Sequence, residues 1–222
     1  MRVGGFVLTQ RDVERELDAF ASDKGVREAL SAPSASGQAP LIAAESAGTV
    51  VSNGLPTFLV NHEIQNAATA TLLARAGISE VAPLSEDQAG AMLFGTGPVA
   101  AAWRSLPSAM RARWTTATAQ QSALEAKASG PQADERVQRA IYDSVGALVG
   151  QLTFDDFRSR TTTELDGNTW GQLLSVALSS TATSMGVRID PRYGSWDATR
   201  GFTRVTVPLA GAATSTSTPT GA

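Results

Sequence analysis

The chain has 222 residues, 42% of them hydrophobic, a formal net charge of −3, one histidine and no cysteine. That length suits one large domain or a domain with an arm, and the near-neutral charge supplies no global field for nucleic acid or anionic lipid. The missing cysteine excludes disulfides, thiolate catalysis and cysteine-ligated metal, and no apolar run approaches the roughly 20 residues that span a bilayer.

Arg2 to Leu8 read as two very short strands around Gly4-Gly5, where a tight turn can use positive φ. This start reads as a strand and not as a secretory signal. Thr9 then caps a helix, with Asp12 three residues on as a weaker relative of the capping box. Val13, Leu17, Phe20 and Ala21 share one face of that helix, and Gly25 is a natural stop. Residues 31–40 have loop composition. Leu41 to Val51 read equally as a short helix or a strand. From Pro56 a helix is expected, with Val60, Ile64, Ala68 and Leu72 on one side and Gly77 at its end.

Ser85-Glu86-Asp87-Gln88 is a capping box ahead of a short helix broken by Gly95 and Gly97. Pro98 begins the next, which carries Trp103 and Leu106. Pro107 fits the first turn of a longer helix, lined by Met110, Trp114, Ala117 and Leu124 with polar Gln121 in the same stripe. Gly130-Pro131 end it. A further helix is expected from about Asp134 to Val149, with Val137, Ile141, Val145 and Leu148 inward. Thr153 to Phe157 start another. A last helix runs from Thr169 through Trp170, Leu174, Ala177, Leu178, Thr181 and Met185 to Gly186. Val187 and Ile189 then alternate with polar neighbours as in a strand, and Arg204 to Val207 are a second strand candidate. The remainder, residues 209–222, is a polar tail of disordered composition. There is no internal repeat.

The expected fold is mainly α, with tiny strands near both ends. Two-residue strands need a partner to persist in water. The N-terminal hairpin and the strand at Val187–Ile189 are the obvious pair, making residues 1–208 a single domain closed by a clasp.

Candidate chemistry is sparse. His62 stands in a His-Glu-x-x-Asn sequence, so the second histidine of a zinc-protease helix is missing. Asp155 and Asp156, with Asp143, Glu164 and Asp166 nearby, supply carboxylates for a hydrolase. Adjacent helical residues point about 100° apart, however, and charges favouring the helix dipole explain them more simply. Gly95-Thr96-Gly97-Pro98 lacks the lysine and length of a phosphate loop. Arg104, Arg111 and Arg113 form the densest basic patch and read as a solvated helix face. No catalytic residue, cofactor or metal is expected.

Two clusters remain. Met92, Phe94, Trp103, Met110 and Trp114 are either core or an adaptable surface for apolar polypeptide segments. Pro191, Arg192, Tyr193, Gly194 and Trp196 read as a structural corner packed against the first helix.

The opening hairpin around Val3-Gly4-Gly5, followed by Leu8-Thr9 and Asp12-Val13-Glu14-Arg15-Glu16-Leu17, resembles the start of the SurA N-terminal chaperone module. Ala70 to Val81 resembles the family helix that ends in a Gly-Ile pair. Asp190-Pro191-Arg192-Tyr193-Gly194-Ser195-Trp196-Asp197 resembles the closing Asn-Pro-Arg-Tyr-Gly-x-Trp of SurA-like proteins from high-GC Gram-positive bacteria. The resemblance implies a helical SurA-N-like domain whose final strand pairs with the N-terminal hairpin. It also implies an extracytoplasmic, cell-envelope, ATP-independent chaperone for unfolded or exported polypeptides. No segment reads as a parvulin domain, so prolyl isomerase activity is not implied. A lipid anchor would require an upstream signal that this sequence does not contain. The alternative expectation is an envelope interaction protein that binds one dedicated folded partner.

Overall fold

A computed structural model describes residues 1–22, 24, 43–45, 48–50, 54–95, 103–146, 150, 152–163, 167–190, 195–197 and 202–204. The chain is mainly helical, as expected. The helices are α1 (Gln10–Ser22), α2 (Gly54–Arg75), α3 (Glu86–Phe94), α4 (Ser108–Ala128), α5 (Glu135–Val145), α6 (Phe154–Thr163) and α7 (Gly167–Ser184). Three antiparallel strand pairs accompany them: β1 (Arg2–Val3) with β2 (Phe6–Val7), β3 (Ala43–Glu45) with β4 (Gly48–Val50), and β5 (Ser195–Asp197) with β6 (Phe202–Arg204). The described parts of the ambiguous segment, Ala43–Glu45 and Gly48–Val50, are therefore paired strands.

Local chemistry sets most boundaries. Thr9 and Asp12 form a reciprocal box: the Thr9 N–H reaches Asp12 Oδ2 at 3.0 Å, and the Asp12 N–H reaches Thr9 Oγ1 at 3.2 Å. Aspartate thus completes the motif that glutamate usually closes. Ser85 and Gln88 do the same for α3, at 2.9 and 3.1 Å. At the end of α2 the Ile78 N–H reaches back to Leu73 O at 2.9 Å and the Gly77 N–H to Ala74 O at 3.0 Å, with Gly77 at φ 70°. This is a Schellman stop, which needs a left-handed residue at that position.

Helix α2 is the hub. Leu59, Val60, Ile64, Ala68, Leu72 and Leu73 are buried, and so are His62, Glu63 and Thr69. A helix covered on nearly every side belongs in the interior. Its C-terminal half packs with Leu124, Val137, Ile141, Phe154, Phe157, Trp170 and Leu174 into one core. Its N-terminal half meets Leu17, Phe20, Trp103, Leu106, Met110 and Trp114 in a second, aromatic core. Val3, Val60, Ile64, Ala68 and Ala182 form a third cluster beneath the hairpin.

The expected closure is present. Arg2 and Arg188 exchange backbone hydrogen bonds, N to O at 2.7 Å and 2.8 Å. The Gly4 N–H donates to Met185 O at 3.0 Å. Only Arg188 forms the bridge, so the strand expected over Val187–Ile189 is a single rung.

Several expectations shift. Trp103–Ser105 is one 3₁₀ turn, while the Pro98 start lies outside the described residues. Gln121 is exposed and donates to Glu125 at 3.1 Å instead of joining the buried stripe. The inward face of α4 runs through Met110, Trp114, Ala117, Thr118 and Leu124. Helix α5 starts one residue after its Asp134 cap and ends at Val145; Leu148 and Gly25 lie outside the described residues. The second late strand begins at Phe202, not Arg204.

Candidate functional site

Four of the five expected Met/Trp-patch residues converge, but chiefly as core. Trp114 is 0%, Trp103 1% and Met110 4% exposed. Phe94 is half-buried, 5.8 Å from the Trp103 ring and 6.3 Å from the Trp114 ring. Only Met92 stands out, 55% exposed, with its sulfur accepting from the Ser122 hydroxyl at 3.7 Å. A ready-made exposed patch of all five is thus absent: the i, i+4 spacing of Met110 and Trp114 turns both inward. Gly90 allows the tight approach of Trp103, because a Cβ there would sit 2.6 Å from the indole Cδ1.

Of the clasp residues, Trp196 lies on β5 and donates its indole N–H to Thr183 Oγ1 at 3.2 Å. It rests on the end of α7 and the cluster around Val3. Pro191, Arg192, Tyr193 and Gly194 lie outside the described residues.

Sequence reasoning missed a charged cluster under the hairpin. Arg113 of α4 pairs with Glu16 of α1 and donates to Glu63 of α2 at 3.2 Å. Glu16 is 7% and Glu63 3% exposed, whereas the Arg113 side chain is 44% exposed, so two buried carboxylates share one guanidinium that reaches them from the surface. Burial, helped by the like charge of Glu63 and opposed by Arg113, raises Glu16 to about 7. Its second oxygen has no partner among the described residues. His62 lies in the same region, 4.3 Å from the Trp114 ring and stacked on Phe58 at 5.9 Å. Burial first, and Arg113 second, hold it neutral down to about pH 4. Its Nε2 is likewise unpartnered among the described residues. The signal was in the sequence: Glu16 falls between Val13 and Phe20 on the apolar face of α1, and Glu63 lies four residues after Leu59.

Two concavities flank the hairpin. One, of about 200 Å³, lies between β2, α1 and α4 and is walled by Phe6, Leu8, Ala19, Pro107, Ala109 and Met110. The other, of about 520 Å³, lies against α2 and is lined by Val3, Ala67, Ala70, Ala117 and Met185. Phe6 and Arg113 border both. A third cleft of about 660 Å³ holds Arg75, Arg136, Arg139, Glu135 and Asp143. Its arginines are engaged: Arg136 with Asp134 at 2.7 Å, Arg139 over the Phe154 ring at 3.5 Å, and Arg75 with Ser184 at 3.2 Å.

Among the described residues no group of histidine and acidic side chains is placed to hold a metal, and no helix is long and apolar enough to cross a membrane. Asp155 and Asp156 are exposed in the first turn of α6, where Asp156 accepts from the Thr153 hydroxyl at 2.7 Å; Glu164 and Asp166 lie outside the described residues. Two members of the expected basic face are paired at the surface, Arg104 with Asp87 at 3.0 Å and Arg111 with Glu86 at 2.7 Å. Arg113 instead turns to the buried carboxylates. The chain matches no protein-family model, no curated protein and no solved structure.

Proposed function

We propose that the chain is a SurA-like, ATP-independent chaperone module that binds extended, apolar-rich segments of unfolded or exported polypeptides. It acts outside the cytoplasm and has no isomerase or other enzymatic activity. The observation that carries the reading is the pair of shallow, mainly apolar grooves that meet at Phe6 and Arg113 beside the hairpin. Shallow apolar walls suit varied neutral side chains better than one rigid ligand, and the walls' methionines, Met110 and Met185, are the side chains that adapt most easily. The closure of a helical body by an N-terminal hairpin and a late strand supports the same reading, since the resemblance implied that architecture.

The test is aggregation of an unfolded model client followed by light scattering without ATP. The parent is expected to suppress scattering at equimolar ratio, and Phe6→Ala to suppress it less while keeping its helicity. No suppression at several-fold molar excess overturns the chaperone reading and turns the search to a single folded partner.

A further inference from the structure

Among the described residues, the register of the N-terminal hairpin leaves one residue with an open backbone edge. Val3 faces Phe6 and Arg2 faces Val7 across the pair. Met1 and Leu8 exchange hydrogen bonds at 2.7 and 2.9 Å, so the Arg2–Val7 pair between these rungs is the non-bonded kind. Arg2 confirms this by spending both backbone groups on Arg188, on the far side from β2. The N–H and C=O of Val7 therefore point away from β1. They have no backbone partner among the described residues. The Val7 side chain is 53% exposed.

This edge borders the groove of about 200 Å³ between β2, α1 and α4. The charges at its rim are already compensated. Asp12 accepts from Thr9 at 2.6 Å and faces Arg15 at 3.5 Å, and Arg113 is held by Glu16 and Glu63. The one unpartnered buried polar atom of the lining, among the described residues, is Glu16 Oε2, and burial keeps that carboxyl protonated up to about pH 7, so a neutral, mainly apolar occupant matches the groove best. An open strand edge beside an apolar groove is the geometry of strand addition, in which main-chain hydrogen bonds give affinity and a groove reads alternate side chains.

We infer that an extended, uncharged segment of a partner polypeptide adds to the hairpin as a third strand. It exchanges hydrogen bonds with the Val7 N–H and C=O and places an apolar side chain in the groove between Leu8, Ala19 and Ala109. The inference rests on the proposed function and gives it a site. With only one residue offering both groups, recognition is short and largely independent of sequence.

The probe is a capped, fluorescent peptide of about six residues alternating valine and threonine, with a fully backbone N-methylated counterpart. The full chain should bind the first and not the second, and binding should slow exchange of the Val7 amide. Val7→Pro removes the N–H and should weaken binding about tenfold, whereas Val7→Thr should bind like the parent. Ala109→Trp fills the groove from α4 without changing any hairpin residue, so it should weaken binding even if the proline variant does not fold. Equal affinity for the N-methylated peptide, or parent-like binding by a folded Val7→Pro and by Ala109→Trp, overturns the inference. So does sedimentation as a dimer that Val7→Pro dissociates while peptide binding persists, because a second copy then holds the edge. Retained client suppression in Val7→Pro would remove the edge but leave the chaperone function standing. A parent that binds the peptide without suppressing client aggregation would instead keep the edge and remove the function.

Discussion

The two halves of the helical body bury similar helices but settle their polar groups differently. Around α5 and α7 nearly every buried donor is used. Gln138 donates to Ala128 O at 3.2 Å, the Tyr142 hydroxyl to Leu152 O at 2.7 Å, and Thr181 to Ser144 at 3.2 Å. Only the Trp170 indole N–H is unpartnered there among the described residues. Around α1 and α4 the unpartnered atoms include Glu16 Oε2, His62 Nε2, Asn66 Nδ2 and the Trp103 and Trp114 indoles. Apolar packing alone does not distinguish the halves. Unpaired buried polar groups do, and one of them, Glu16 Oε2, belongs to a residue that lines the groove beside the proposed binding edge.

The sharpest way to break this comparison is to cut one large side chain from each half. Trp114→Ala should cost about 3–5 kcal/mol and Ile141→Ala about 2–5 kcal/mol. If the halves fold as one unit, both variants shift a single denaturant transition. If the α1–α4 half is the weaker one, Trp114→Ala splits the transition and Ile141→Ala does not.

Arg113→Ala leaves two buried carboxylates without their cation, but the guanidinium is itself half-exposed, so the cost should be about 1–3 kcal/mol, at or below the low end for a fully buried pair. Adding Glu16→Gln and Glu63→Gln should recover most of that loss in the same denaturation experiment. A triple variant as unstable as the single one would show that the arginine acts by packing, not charge.

The pH dependence isolates the same cluster. Glu16 keeps its proton to about pH 7 in the fold, against an ordinary value of 4.5. Its contribution is whole below 4.5 and lost as pH rises through 7. His62 behaves in the opposite sense: neutral down to about 4 in the fold, against 6.5 otherwise. Its contribution is whole above 6.5 and lost as pH falls through 4. From pH 4.5 to 6.5 the two slopes oppose, each about 1.4 kcal/mol per pH unit for one proton. Glu16→Gln removes one of them, so the variant's stability should rise relative to the parent across that window. Urea midpoints measured at each pH check it; parallel profiles would contradict it.

Gly90→Ala should lose about 1–2 kcal/mol, because the new methyl meets the Trp103 ring at 2.6 Å and outweighs alanine's better helix propensity. Ser85→Ala, at an exposed cap remote from either core, should cost only about 1 kcal/mol. Thermal melts rank the two; a larger loss at Ser85 would mean that α3 contributes through its cap more than through its contact with Trp103.

Helix periodicity made much of this fold legible. The apolar faces of α1, α2, α5 and α7 follow from spacing, and Thr9, Ser85 and Gly77 mark real ends because their groups close local hydrogen bonds. The closure at Arg2 and Arg188 was legible for a different reason: an isolated hairpin needs a partner, and few strands were on offer. What spacing could not settle was the difference between a large apolar side chain in the core and one on the surface. Met92 and Trp114 look alike in sequence, and only the packing of α3 on α4 separates them. The Glu16–Arg113–Glu63 cluster stayed hidden because its members come from three helices, and charged residues were read by default as solvated.

The rung between Arg2 and Arg188 also bears on timing. Chain growth releases Arg2 long before Arg188, so until the later residue emerges β1 has an unsatisfied side as well as β2. A nascent hairpin of this kind can pair on two flanks, and the finished protein on one. Contacts this distant along the chain are slow to form. Closing this rung therefore also sets how many strands the hairpin can still accept.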